Sequence, residues 1–156
     1  MKSLTTNECM LNVQRAKTVS PAFNTPYLPM MEGVVAALRD TDNFGLITVA
    51  RPGWIKFEAQ SIRAIYEEYE RVKDDRFTRL HLDHVPVFDE DSLKVDYEAV
   101  IQEAIQLGYG SVMVDGSRLP LEENIQATGK ITRIEWAPRR LHCMCRFLAF
   151  VCSPLD

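Results

Sequence analysis

Two histidines and two aspartates stand where they could hold a metal ion or move a proton. His81, Asp83 and His84 lie close together in the segment TRLHLDH, and Asp115 follows the apolar run SVMV. Imidazole nitrogens and carboxylate oxygens bind divalent metals and exchange protons with substrates. The alternative is that these side chains only hydrogen-bond loop backbone, the more common role of a single histidine. Because H-L-D-H is followed by another acid one structural unit later, we favour the functional interpretation.

These residues fall at the ends of predicted strands. Strands are predicted over 18–23, 44–50, 78–84 and 111–114, with amphipathic helices between them. The later strand ends, near Ala50, Asp83 and Asp115, recur at about the 30 residues that a βαβ unit needs. The repeat predicts an α/β fold with a parallel sheet, which begins either a doubly wound sheet or a closed barrel. Function then sits at the carboxyl ends of the strands, where Asn24 and Arg51 also lie.

Strand alternation bears on which side chains can act together. In a regular strand, His81 and Asp83 point to one face of the sheet and Leu82 and His84 to the other. His84 is predicted at the strand end, where a loop can turn it over the mouth of the sheet.

The composition indicates a cytoplasmic protein. The chain has 156 residues, a net charge of −4 and a pI near 5.4, so no basic surface favours nucleic acid. No apolar run approaches the roughly 20 residues that cross a membrane, and the polar N-terminus lacks a signal-peptide core. The four cysteines fit reduced thiols. Cys143, Cys145 and Cys152 could bind a soft metal, but no second pair with the usual spacing follows.

The segments TRLHLDH and GYGSVMVDGSRLPLEENIQATGKI resemble the class II (zinc-dependent) ketose-bisphosphate aldolases, which include fructose- and tagatose-bisphosphate aldolases. That family combines an H-L-D-H strand, a G-[FY]-x-S-V-M-[IV]-D-G-S strand and a helix with a P-x-x-E-N-like start. The resemblance extends from about Val19 to Ala137. It implies the first half of a TIM (β/α)8 barrel, truncated, and the reversible cleavage of a ketose bisphosphate to dihydroxyacetone phosphate and an aldehyde.

The resemblance also implies a role for each candidate residue. His84 matches a zinc ligand, and Asp115 matches a carboxylate near the metal. Asp83 matches the acid that exchanges a proton with the substrate hydroxyl. Asn24 and Arg51 are candidate substrate-binding residues. Arg51 stands where the family commonly has serine, and its planar fork could contact a phosphate or block the site.

The resemblance ends near Ala137, because the family's later zinc histidines, its V-E-x-E-L-G glutamate and its phosphate loops have no match in 138–156. We therefore predict a polar lead-in over 1–17, a partial barrel over 18–137 and a divergent tail over 138–156. The working hypothesis is that the coding frame shifted or was truncated near Ala137, leaving an inactive aldolase.

Two alternatives remain open at this point. The chain could be a non-catalytic fragment that binds a metal or a sugar phosphate, or a different β/α enzyme with the same strand-end pattern. An open half-barrel leaves strand edges and apolar surface uncovered, so a homo-oligomer is expected.

Overall fold

The computed structural model describes residues 4–133 and 142–143, in which helices and strands alternate. The helices are α1 (Thr6–Arg15), α2 (Met30–Asp40), α3 (Pro52–Ile55), α4 (Ile62–Val72), α5 (Tyr97–Leu107) and α6 (Leu121–Thr132). The strands are β1 (Ala22–Asn24), β2 (Gly45–Ala50), β3 (Thr78–Pro86), β4 (Ser111–Asp115) and β5 (His142–Cys143). Most of the predicted tail, 138–156, lies outside the described residues.

The described strands form one parallel sheet in the order in which they occur in the chain. Each strand pairs with the next, so that Ala50 of β2 lies opposite Asp83 of β3. A doubly wound sheet reverses its strand order at a switch point, and no reversal occurs among the described strands. The parallel α/β fold predicted from the sequence is confirmed, and its strand order is that of a barrel.

The sheet is buried by helices whose apolar faces match the sequence pattern. In β2 the first five residues are buried, as a strand with both faces covered requires. In α2, α4, α5 and α6 the buried residues are Met31, Val35, Leu38, Ile62, Ile65, Tyr69, Ile101, Ala104, Ala127 and Ile131. Within the described residues, no helix is long and apolar enough to cross a membrane.

Helix α1 lies within the predicted polar lead-in and was not predicted as an element. It begins with a capping box, in which Thr5 Oγ1 accepts a hydrogen bond from the Glu8 amide and the Glu8 carboxylate accepts one from the Thr5 amide. Arg79, near the start of β3, donates from Nε to the Leu4 carbonyl at 3.0 Å. This contact fixes α1 near the amino end of β3, away from the edge where catalytic residues are expected.

Helix α5 shows how local sequence signals set the spacing between strands. Asp96 caps its start by accepting a hydrogen bond from the Ala99 amide at 3.1 Å. Gly108 ends it in the left-handed conformation, with φ of 111°. A Cβ at Gly108 would also lie 3.3 Å from the Tyr66 hydroxyl.

Gly108→Ala should therefore destabilise the fold, by about 1–2 kcal/mol, because an alanine in the left-handed region is strained. Gly33→Ala is the matched control: nothing lies within 4 Å of the added Cβ in α2, so it should stabilise the fold by about 0.5–1 kcal/mol. Urea unfolding followed by circular dichroism measures both changes. A change of the same sign in both variants would contradict the assignment of Gly108 as the helix terminator.

Candidate functional site

All the candidate residues lie at or just beyond the carboxyl edge of the sheet. Asn24 ends β1, Arg51 directly follows β2, and Asp115 ends β4. Asp83 and His84 lie within β3, close to its carboxyl end. The structure brings Asp83, His84 and Asp115 together, whereas Arg51 is drawn to a different partner. Asn24 lies on β1, opposite Thr48 and two strands away from β3.

A β-bulge in β3 turns the side chains of Asp83 and His84 towards each other at the carboxyl edge of the sheet. Leu82 pairs with Val112, but Val85 pairs with Val114, so two β3 residues stand against a single residue of β4. The extra residue interrupts the alternation of side chains and is a known device for re-aiming a side chain near an active site. His84 has φ of 42°, in the left-handed region that non-glycine residues rarely adopt.

The expectation that a loop reorients His84 at the end of the strand was therefore wrong. The strand continues to Pro86 on the far side of Asp83 and His84. The bulge performs the reorientation within the strand, so the backbone on both sides of the two residues stays paired to β4.

His84 and Asp115 form a hydrogen-bonded pair across β3 and β4. His84 Nδ1 lies 3.1 Å from Asp115 Oδ2, and Asp115 Oδ1 accepts a hydrogen bond from the Ser117 amide at 2.9 Å. The hydrogen bond to Asp115 raises the pKa of His84, although partial burial opposes it. The hydrogen bond from His84 lowers the pKa of Asp115 well below its usual range. The pair holds the ring by Nδ1 and leaves Nε2 nearest Asp83, 3.9 Å from Oδ1.

Asp83 is partly buried, and its surroundings lower the pKa of its carboxyl group. Burial alone would raise the pKa of its carboxyl group, but His81 and then His84 outweigh that effect and the net pKa is lowered. An ionised Asp83 at neutral pH can accept a proton from a hydroxyl group that reaches it.

A buried hydrogen bond lies beneath Asp83. His81 Nδ1 is 2.8 Å from Ser111 Oγ, and His81 Nε2 is 3.6 Å from Asp83 Oδ1. The sequence analysis placed Ser111 only in a buried strand and gave His81 no role of its own. The available signal was the spacing of His81 and Asp83, two residues apart on one strand face.

Arg51 is held by an acidic residue that the sequence analysis did not single out. Its Nη1 lies 3.2 Å from Asp89 Oδ2, and the Asp89 side chain is only 6% exposed. Asp89 Oδ1 also accepts hydrogen bonds from the amides of Asp91 and Leu93. One edge of the guanidinium is therefore occupied, and a substrate phosphate could reach only the remaining donors.

The described residues do not form a complete metal site. His84 offers Nε2, while Asp115 has one oxygen on His84 and the other on Ser117. Within the described part of the chain, no three histidine, cysteine, aspartate or glutamate side chains are grouped so that they could hold an ion. A catalytic zinc site usually has three protein ligands, and His84 with Asp115 would supply at most two of them.

The paired pKa shifts predict how pH affects the His84–Asp115 contact. Because folding raises the pKa of His84, the contact stabilises the fold at pH values below the ordinary histidine pKa near 6.5. This stabilisation is lost as the pH rises through the pKa of His84 in the folded chain. Because folding lowers the pKa of Asp115, the contact stabilises the fold at pH values above the ordinary aspartate pKa near 4. This stabilisation is lost as the pH falls through the pKa of Asp115 in the folded chain. The pair should therefore contribute most between about pH 4 and 6.5, modestly because His84 is half-exposed.

An NMR titration of the His84 ring tests this expectation. In the unmodified chain, the ring should titrate above its ordinary pKa, and Asp115→Asn should return the pKa towards that value. An unchanged His84 titration in the variant would mean that the pair does not form in solution.

A parallel β/α sheet with polar residues gathered at its carboxyl edge is the arrangement of TIM-barrel enzymes. Residues 4–137 match the family model described as Fructose-bisphosphate aldolase class-II. The chain belongs to the class II fructose-bisphosphate aldolase family, and the resemblance seen in the sequence is confirmed.

Curated relatives agree with this family. The chain is 29% identical over 132 residues to the D-tagatose-1,6-bisphosphate aldolase subunit GatY of Klebsiella oxytoca, covering 84% of this chain and 42% of that protein. It is 26% identical over 133 residues to a fructose-bisphosphate aldolase of Helicobacter pylori, covering 82% of this chain and 38% of that protein. The chain thus spans less than half the length of these relatives.

Solved structures agree on the fold. One is a protein assigned as a fructose-1,6-bisphosphate aldolase from Coccidioides immitis. It superposes with a TM-score of 0.63 at 19% identity, covering 85% of this chain and 42% of that chain. At this identity, the likeness shows the shared fold.

Proposed function

We propose that the chain carries the proton-transfer carboxylate and one metal-ligating histidine of an aldolase that cleaves ketose bisphosphates reversibly to dihydroxyacetone phosphate and an aldehyde. The observation that carries the proposal is the cluster of Asp83, His84 and Asp115 at the carboxyl edge, with His84 Nδ1 3.1 Å from Asp115 and His84 Nε2 3.9 Å from Asp83. The site lies where barrel enzymes carry out their chemistry.

Asp83 would move the proton of the reaction. In the cleavage direction its carboxylate accepts the proton of the C4 hydroxyl, the C3–C4 bond breaks, and C4 becomes the aldehyde carbonyl. The bonding electron pair remains on the dihydroxyacetone phosphate half as an enediolate. In the reverse direction, protonated Asp83 returns the proton to the oxygen of the new C4 hydroxyl. Its lowered pKa suits the accepting role near neutral pH.

His84 would hold a divalent metal, zinc in the first instance, through Nε2. Asp115 orients the ring by its contact with Nδ1, and carboxylate partners of this kind fix the tautomer of metal-binding histidines. Asp115 could also face a metal directly if it exchanged its contact with Ser117 for one with the ion. When bound, the metal supplies positive charge that stabilises an enediolate oxygen. The remaining ligands would come from outside the described residues.

Arg51 and Asn24 would contact the substrate at the neighbouring strand ends. Arg51 retains guanidinium donors that do not face Asp89, and these suit a phosphate group. Asn24 is exposed at the end of β1, where its amide can donate to a hydroxyl or phosphate oxygen.

The homo-oligomer expected from the sequence is part of the proposal. Sedimentation at several concentrations tests it, and a monomer throughout would contradict it.

The cleavage assay tests the proposed function. Purified chain is incubated with fructose- or tagatose-1,6-bisphosphate, and dihydroxyacetone phosphate is measured before and after a chelator and after added zinc. We expect release that the chelator abolishes, that zinc restores and that His84→Ala lacks. The hypothesis of a truncated, inactive aldolase predicts the opposite result: no release from folded, zinc-supplemented chain would overturn the proposal and favour that hypothesis. Release that the chelator does not affect would overturn the metal-dependent chemistry.

A further inference from the structure

His81 and Ser111 form a buried pair that the proposed chemistry has not used. They lie directly opposite each other on β3 and β4. Their side chains are 3% and 0% exposed, so water does not compete for the 2.8 Å contact between Nδ1 and Oγ. A buried polar pair is costly unless its hydrogen-bonding groups are satisfied. The donors and acceptors around His81 therefore indicate which ring nitrogen carries the proton.

The contacts at both ends of the imidazole favour the same tautomer. If the Ser111 hydroxyl donates to Nδ1, then Nε2 carries the ring proton of neutral His81. Nε2 faces Asp83 Oδ1 at 3.6 Å, and an ionised carboxylate can only accept. The opposite tautomer would place a bare nitrogen against the carboxylate and would leave the serine hydroxyl to find another acceptor.

Asp83 needs an orienting contact because its backbone is irregular. It lies in the bulge beside His84, where the regular ladder between β3 and β4 is interrupted. The terminal torsion of an aspartate is soft, so the ladder alone does not fix the direction of its carboxylate. The 3.6 Å separation is longer than a hydrogen bond. A turn of the carboxylate towards Nε2 would close it, and catalytic hydrogen bonds often tighten only when substrate is bound.

We propose that His81, set in one tautomer by Ser111, is a positioning residue that aims the Asp83 carboxylate at the substrate hydroxyl. The inference rests on the proposed function in that Asp83 is the proton-transfer group. The alternative is a purely structural histidine satisfied by Ser111. Only the positioning role requires a proton on Nε2. Only that role predicts that the Asp83 carboxylate changes its environment when a substitution at His81 removes the Nε2–H donor.

The tautomer is tested on the unmodified chain. With ¹⁵N-labelled histidine, the two ring nitrogens of His81 give separate NMR signals that show which one carries hydrogen, and His81→Gln assigns them. We expect the Nε2–H tautomer, and the Nδ1–H tautomer or a doubly protonated ring would overturn the proposal. This measurement is made on the unmodified chain and requires no turnover; the variant serves only to assign the signals.

Two amide substitutions then separate positioning from structure. Glutamine can place an N–H near the position of Nε2, whereas asparagine reaches only the position of Nδ1. The Asp83 carboxyl ¹³C signal, at fixed pH, should move in His81→Asn and stay near its original position in His81→Gln. Thr78→Val, in the same strand as Asp83, is the control: it removes the partly buried hydrogen bond from Thr78 Oγ1 to the Asp74 carbonyl and should leave the Asp83 signal in place.

Activity supplies the final readout. We expect His81→Asn to lower kcat by about 10- to 100-fold with little change in KM, since a small misplacement of a reacting group has effects of this size. His81→Gln should recover most of the loss. If His81→Asn and His81→Gln change kcat and the Asp83 signal equally, the positioning role is wrong and His81 is a structural residue. If the NMR results hold but no variant or parent turns over, the proposed function fails while the contact between His81 and Asp83 stands.

Discussion

Asp83→Asn is expected to lower the rate of dihydroxyacetone phosphate release by about 10²- to 10⁴-fold, the usual contribution of a positioned acid or base. Asparagine keeps the size and hydrogen-bonding shape of the side chain but cannot take up the proton of the C4 hydroxyl. The lowered pKa of Asp83 means that the parent chain has the accepting carboxylate at neutral pH. Initial rates at saturating substrate measure the loss in kcat.

The control for Asp83 is Asp42→Asn. Asp42 is an exposed aspartate that pairs with Arg76 at 2.9 Å on the surface, so its rate should match that of the parent chain. Circular dichroism of both variants shows whether the fold is kept. A folded Asp83→Asn variant that retains more than about a tenth of the parent rate would remove Asp83 from the proton-transfer step.

Ile65→Ala is expected to lower the free energy of unfolding by about 2–5 kcal/mol. Ile65 lies on α4, its side chain is 0% exposed, and it belongs to the core between the helices and the sheet. Truncation to alanine removes buried methyl groups and leaves a cavity that the packed surroundings fill only in part. Because a small domain has a net stability of about 5–15 kcal/mol, this loss should be large enough to move the urea midpoint clearly.

Ile125→Ala makes the same chemical change at a surface position. Ile125 lies on α6 and is 56% exposed, so its truncation should change the stability by no more than about 0.5 kcal/mol. Comparable losses in the two variants would mean that Ile125 is covered in solution by a part of the protein or a partner that packs on α6.

Local sequence signals were sufficient for much of the fold. The apolar run FGLITVA predicted a strand over 44–50, and β2 spans Gly45–Ala50. Asp96 and Gly108 were expected to begin and end a helix, and they are the two caps of α5. In each case the signal is carried by neighbouring residues, as continuous burial, a capping carboxylate or a left-handed glycine, so no knowledge of distant contacts was needed.

Elements whose position depends on distant partners were predicted less well. A first strand was expected over 18–23, whereas β1 is Ala22–Asn24. Its position is set by pairing with β2, where Phe23 lies opposite Ile47. Pro120 was expected to be the first helical residue, but it is the residue before α6. Tertiary contacts such as this pairing outweigh local preference, and element ends also vary by one or two residues because they fray.

The site was predictable in its residue types but not in its geometry. The strand-end rule placed Asp83, His84 and Asp115 at one edge from the spacing of strands alone. The bulge that brings the side chains of Asp83 and His84 together depends on the register of β3 against β4, which no local pattern encodes. The contact between Arg51 and Asp89 joins residues 38 positions apart and likewise had no local signal.

Zinc titration of the ¹⁵N-histidine-labelled chain tests the central claim most directly, namely that these strand ends form a metal-dependent site. We predict that stoichiometric zinc shifts the Nε2 signal of His84, that a chelator reverses the shift, and that Asp115→Asn weakens the binding. Zinc bound without any change at His84, for example at the cysteines of 143–152, would contradict the account.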